Sequence, residues 1–149
     1  MYHDTITLFN RYKSRLGDMW CPTILHDVDL NTDRAATFAK YGEESADAAS
    51  LHVKYVYTGG EITVAGKQYL SPKEWERQTN DQLPGTITFT PGDKFDFFYA
   101  GVWNGTEPIQ DETYLDGFYD YMNARYDHVY AITSVTQYSV IPHFEIVAK

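Results

Sequence analysis

The residues best suited to chemistry by type and spacing form one short segment, His26-Asp27-Val28-Asp29. Imidazole and carboxylate groups are ordinary ligands of zinc and other divalent cations. Successive residues of an extended strand point to opposite faces, so His26 would project away from Asp27 and Asp29. The five histidines of the chain also lack H-x-x-x-H or H-x-H spacing. We therefore predict no metal site.

Two acidic groups, Glu43-Glu44-Asp47 and the pair Asp93 and Asp96, are of the kind that glycosidases use. A glycosidase pair must face across a cleft at a separation of roughly 5–9.5 Å. Acidic residues clustered in loops are more often solvated. Asp93 follows Pro91-Gly92, and we expect its side chain to bond the main chain of its own turn. A small carboxylate-dependent hydrolase is therefore the weakest reading of the chain.

Cys21 is the single cysteine, which excludes an internal disulfide and a cysteine-based zinc site. Its neighbours Trp20 and Pro22 offer no group that would lower the thiol pKa, as a nucleophilic cysteine needs. The chain has no G-x-S-x-G elbow, no phosphate-binding loop and no dinucleotide-binding glycine pattern. We predict no catalytic residue, no cofactor-binding residue and no cofactor, and hence a protein that is not an enzyme.

The composition is that of a folded domain, with 43% hydrophobic and 22% charged residues among 149. This length is most simply one domain, and we predict a single β-rich domain spanning 1–149. The net charge of −9 disfavours binding to phosphate backbones, so we expect no direct sequence-specific nucleic-acid binding. No apolar run approaches the roughly 18 residues of a membrane helix, and no apolar leader opens the chain. We expect no membrane association and synthesis in a cytoplasm.

Short strands at regular spacing predict a mainly β fold, an antiparallel β-barrel or sandwich with one or two short α-helices. The alternation of apolar and polar residues predicts strands at 5–12, 20–28, 51–57, 62–65, 68–70, 86–90, 95–100, 128–136 and 139–147. Gly59-Gly60 predicts a tight hairpin turn, because glycine readily adopts the positive φ angles involved. Segment 34–41 fits either a short helix or a strand, with a slight preference for a strand.

Two helices are predicted from capping signals. Ser71, Pro72 and Glu74 form a capping box with proline at the first helical position, which predicts about two turns before Asn80. Asp111 is predicted to cap an added helix that runs to about residue 125.

Aromatic side chains mark the possible interface. The predicted second helix carries an amphipathic stripe that includes Tyr114, Phe118 and Tyr121. We predict these three residues, together with Trp103, as possible interface residues, while a role in filling the core fits them equally well. The chain has 13 tyrosines, and tyrosine suits both partner-covered surfaces and half-exposed core positions.

Several segments, taken in order, resemble small neck proteins of tailed phages and prophages of Gram-positive bacteria, in the head-closure or head–tail connector class, often described as minor capsid or uncharacterised prophage proteins. The matching segments are ITLFNRY at 6–12, Trp20 followed by ILHDV, Gly42 with Ser45-Ala46-Asp47, YLSPKEW at 69–75, Pro91-Gly92-Asp93 closing at Gly101, and SVTQYSVIPHFEIVAK at the end. The helix near 111–125 and two further strands exceed the shorter head-closure proteins.

The resemblance implies a small β-barrel or sandwich that acts as a structural virion protein through protein–protein contacts. Its implied partners are portal, adaptor or tail subunits and further copies of itself in a ring. It would be made in the host bacterial cytoplasm and reside in the virion. The alternative from another class is a non-catalytic carbohydrate- or peptide-binding β-sandwich module, in which Trp103 beside Asn104 and the tyrosine-rich helix would contact the ligand.

Overall fold

The computed structural model describes residues 2–32 and 48–149. The ambiguous segment 34–41 and the acidic group at 43–47 lie outside the described residues. The described strands are β1 (Asp4–Ser14), β2 (Gly17–Asn31), β3 (Ala49–Lys54), β4 (Val56–Thr58), β5 (Glu61–Val64), β6 (Lys67–Tyr69), β7 (Thr86–Ile87), β8 (Phe97–Tyr99), β9 (Ile109–Gln110), β10 (Val129–Tyr138) and β11 (His143–Ala148). The helices among these residues are α1 (Pro72–Arg77) and α2 (Phe118–Arg125), with 3-10 turns at Asn80–Gly85, Gly92–Lys94 and Asp111–Thr113.

Six of these strands close into an antiparallel barrel, which confirms the predicted fold class. The order around the barrel is β1-β8-β10-β11-β3-β2, and β2 returns to pair with β1. The long β1–β2 hairpin keeps its register from Ser14 opposite Gly17 to Ile6 opposite Leu25. Strand β9 adds to β2 outside this ring. Each of the six strands pairs on both sides over at least part of its length.

The barrel has apolar side chains on both faces of several strands. Leu8 and Phe98 belong to one buried cluster, whereas their neighbours Phe9 and Phe97 belong to a second. Because successive strand residues point to opposite faces, β1 and β8 are covered on both sides. The outer cluster is closed by α2, whose Phe118 packs edge-on against Phe9 with ring centroids 5.1 Å apart.

A smaller four-stranded sheet, β4-β5-β6-β7, lies beside the barrel. Its β4–β5 hairpin turns at Gly59-Gly60, as predicted. Helix α1 follows with the predicted capping box, in which Ser71 and Glu74 bond each other's main-chain N–H groups. The buried Trp75 of this helix donates its indole N–H to the Arg11 carbonyl at 2.8 Å, which ties α1 to β1.

The second helix begins later than the predicted start at Asp111. Residues 111–113 form a 3-10 turn, and α2 starts only at Phe118. Gly117 interrupts the pattern with a φ of 92°, a backbone conformation that does not continue a helix. The N-cap position is therefore Gly117 and not Asp111 as predicted, although the Asp111 carboxylate accepts the main-chain N–H of Phe118 at 2.8 Å.

Candidate functional site

The four aromatic residues predicted as an interface gather around one point of the outer cluster. Phe118 is 0% exposed and therefore fills the core, the alternative that the sequence left open for it. Trp103, Tyr114 and Tyr121 are half-buried and pack around Phe118. The Trp103 and Tyr114 rings lie 5.4 and 5.2 Å from the Phe118 ring.

These half-buried rings continue into exposed apolar residues, and together they make the aromatic surface. Its members are Val102, Trp103, Tyr114, Leu115, Tyr121, Arg125 and Tyr126. Leu115, next to Tyr114 in the chain, is 99% exposed, and Val102, next to Trp103, is 59% exposed, so two aliphatic side chains at these positions stand in water. The centroids of the Tyr114 and Tyr121 rings lie 4.5 Å apart, so the two rings are in contact within this surface.

Arg125 adds a positive charge to the aromatic surface. The guanidinium of Arg125 lies 6.0 Å from the Tyr121 ring and 5.8 Å from the Tyr126 ring. Tyrosine, tryptophan and arginine are the residues that most often dominate the binding energy of protein interfaces. The arrangement therefore has the chemistry of a protein-docking surface.

A groove of about 510 Å³ runs along β2 and shares no lining residue with the aromatic surface. Its lining comes from β2, β6 and the loops that precede β7 and β9, and consists of Cys21, Pro22, Thr23, Ile24, Ala65, Lys67, Asn80, Leu83, Pro84, Gly105, Thr106, Glu107 and Pro108. Lys67 reaches across it and donates from Nζ to the Thr23 hydroxyl at 2.7 Å.

The ammonium of Lys67 is poorly solvated. Burial lowers the pKa of Lys67, and the nearby Cys21 thiol opposes this shift. In the described part of the chain no carboxylate forms an ion pair with Lys67. A half-buried cation without a counter-charge is a position that an anionic group would stabilise.

Cys21, in the same groove, is a protonated thiol. Burial raises its pKa to about 12, an effect that Asp96 reinforces and Lys67 opposes. A nucleophilic cysteine needs the opposite shift. Lys67, which is distant in the chain, favours the thiolate, but burial has the larger effect.

The two acids of the Pro91-Gly92 turn have different roles from those predicted. Asp93 is exposed, and the carboxylate that bonds the turn is that of Asp96. Asp96 is buried and accepts 2.8 Å hydrogen bonds from the main-chain N–H groups of Thr90 and Arg11 and from the Asn10 amide. Burial raises the pKa of Asp96 to about 7, although these bonds act in the opposite direction.

A row of ionisable side chains crosses the outside of β2, β3 and β11. His52 lies between Asp29 (3.5 Å from Nδ1) and Glu145 (3.8 Å from Nε2), and its ring meets His143 edge-on. The two carboxylates approach opposite nitrogens of the ring, so they do not converge on one point. Across residues 2–32 and 48–149, no group of three such side chains has the geometry to hold a metal ion.

Sequence reasoning missed Lys67, and it named Asp96 only as one of an acidic pair and not as a buried acceptor. Neither lies in a chemical motif, because each acquires its role from residues more than forty positions away in the chain, Thr23 for the lysine and Arg11 for the aspartate. The one available signal for Asp96 is its charge within the otherwise apolar run from Phe95 to Ala100.

The fold and these surfaces define a small closed antiparallel β-barrel that carries an aromatic surface over its outer cluster and a groove along β2. None of the helices in the described part of the chain has the length and apolar character needed to cross a bilayer. The chain belongs to a family of unknown function, DUF6751, whose model matches residues 1–149. No curated protein and no solved structure matches it.

Proposed function

We propose that this protein is a structural subunit that docks on other proteins through its aromatic surface, and that it serves as a head–tail connector or head-completion component of a tailed phage or prophage. The observation that carries the docking role is the exposed Leu115, next in the chain to Tyr114, whose ring packs on that of Tyr121 with centroids 4.5 Å apart. The ordered resemblance of sequence segments to phage neck proteins carries the finer assignment.

The surface suits contact with a second copy of the chain. A ring requires two different faces that fit each other, because head-to-tail contacts close only by rotation. The aromatic surface supplies one face with a single cation, Arg125. The protein has a net charge of −9, so an acidic region of a neighbouring copy offers a counterpart for that cation.

Self-association tests the docking role directly. Sedimentation and negative-stain microscopy over a range of concentrations should reveal oligomers or rings. Leu115→Asp should weaken this association at least about tenfold, because it replaces an apolar contact worth roughly 1.5–3 kcal/mol by a charge. Leu16→Asp is the matched control, since Leu16 is 83% exposed in the β1–β2 turn and outside the surface.

The docking role and the phage assignment are contradicted by different results. Equal association by Leu115→Asp and Leu16→Asp, or a monomer at every concentration, would remove the aromatic surface as a self-docking site. The phage assignment depends on the surrounding genes: neighbours encoding portal, capsid and tail proteins support it, whereas transporter or metabolic neighbours contradict it.

A further inference from the structure

The groove along β2 exposes the edge of that strand. Four consecutive residues, from Cys21 to Ile24, border it. Successive side chains of a strand point to opposite faces, so a groove that touches all four approaches the strand from its side. An edge presents main-chain N–H and C=O groups that lack a partner strand.

The strand pairings locate this free edge. β2 pairs with β1 from Gly17 to Val28 on one side. On its other side it pairs with β9 at Met19 and Trp20 and with β3 from Asp29 onwards. Between these two neighbours, no strand in the described residues lies on that side of β2.

Pro22 shows which main-chain groups face the groove. Pro22 lies opposite Phe9 of β1. Proline has no N–H to donate, so within a sheet it takes positions whose N–H would point away from the neighbouring strand. In antiparallel pairs this orientation alternates, so the N–H and C=O of Ile24 also point away from β1. Ile24 therefore offers a donor and an acceptor towards the groove.

We propose that this groove binds an extended peptide segment of a partner protein, which pairs with the Ile24 main chain as an added strand and places an acidic side chain on Lys67. This mode of recognition takes affinity from main-chain hydrogen bonds and specificity from side-chain contacts. The site shares no residue with the aromatic surface and does not depend on the docking role proposed above.

The dimensions and charges fit this occupant. Residues 21–24 extend over about 13 Å at roughly 3.3 Å per residue, which accommodates about four peptide residues. The segment would continue the line of β9, which already pairs on the same side of β2. Glu107 also borders the groove but is exposed, so water screens it more than the half-buried Lys67. The acidic residue of the peptide is therefore expected at the Lys67 end.

An mRNA-displayed library of random seven-residue peptides tests the site. Peptides selected on the wild-type chain should carry an acidic residue at one position. Lys67→Met keeps the apolar stem, removes the charge and should weaken binding about tenfold or more. Lys73→Met, on the exposed face of α1, is the matched control and should bind like the wild type.

Two measurements on the wild-type chain identify the binding mode. In ¹⁵N NMR spectra the Ile24 amide should shift more on peptide binding than the Thr23 amide, which faces β1. N-methylation of the peptide should abolish binding at alternate positions, as strand pairing requires. The proposal is overturned by a selection that yields no binder, by binders that leave the Ile24 amide unmoved, or by equal binding to Lys67→Met.

Discussion

The carboxylate of Asp111 accepts the main-chain N–H of Phe118, the first residue of helix α2, at 2.8 Å, across seven positions of the chain. The same oxygen accepts the indole N–H of Trp20 at 2.9 Å. One atom thus connects the first turn of α2 to strand β2 of the barrel. The position of the aromatic surface depends on this connection, because Tyr121 belongs to α2.

Replacement of Asp111 by alanine should destabilise the fold by about 2–4 kcal/mol, because it removes the acceptor of the Phe118 N–H and the charged acceptor of the buried Trp20 indole. Urea unfolding at pH 7 measures the loss. Asp111→Asn keeps one acceptor oxygen and should cost less. Asp116→Ala is the control, since Asp116 is exposed in the same segment, and an equal loss there would contradict this role of Asp111.

Gly117→Ala should also be destabilising, by about 1–3 kcal/mol, because its backbone conformation is essentially restricted to glycine. Gly117 has a φ of 92°, and an added Cβ would lie 3.2 Å from Oδ1 of Asp111. Gly85→Ala is the matched control, because no heavy atom lies within 4 Å of the Cβ position there. Thermal unfolding of the two variants compares them directly, and similar losses would show that Gly117 has no special role.

Much of the fold could be predicted from residues that lie close together in the sequence. The capping box of Ser71 and Glu74 and the Gly59-Gly60 hairpin depend on residues within a few positions of each other, and both are confirmed. Each predicted strand in the described residues overlaps an observed one. The two-residue strand β9 was missed, because it exists only through pairing with Met19 and Trp20 of β2.

The remaining features depend on contacts that sequence spacing does not encode. The 111–125 stripe has helical spacing, yet Gly117 delays the helix to Phe118, and the Asp111 carboxylate acts from a distance. The stripe also did not separate Phe118, which is buried, from Tyr121, which is half-exposed. Helical periodicity indicates which residues share one face of a helix. Which of those residues are buried depends on tertiary packing.

Asp96 should make stability depend on pH. Its pKa is raised from 3.8 to about 7 in the folded state, so the folded chain holds a proton that the unfolded chain has already released. The stabilisation from this proton is complete below about pH 4 and is lost as the pH rises towards 7. Linkage gives a slope of up to about 1.4 kcal/mol per pH unit in this window. Urea unfolding between pH 4 and 8 measures it.

Two variants separate Asp96 from the general acidity of the chain. Asp96→Asn cannot ionise, so its stability should vary less over the same pH range, although the amide replaces an acceptor and lowers stability overall. Asp93→Asn removes an exposed carboxylate of the same turn and should keep the wild-type slope. A slope that survives in Asp96→Asn would assign the pH dependence to other groups.

Cys21 should react slowly with iodoacetamide in the folded protein. Burial raises its pKa from 9.0 to about 12, which lowers the thiolate fraction at pH 8 about a thousandfold. A more basic thiolate is intrinsically more nucleophilic, so the net reduction is about 30-fold relative to the chain unfolded in urea. Lys67→Met should slow the reaction further, because the ammonium favours the thiolate. Equal rates in the folded and unfolded chain would mean that the groove does not hold the thiol in its protonated form.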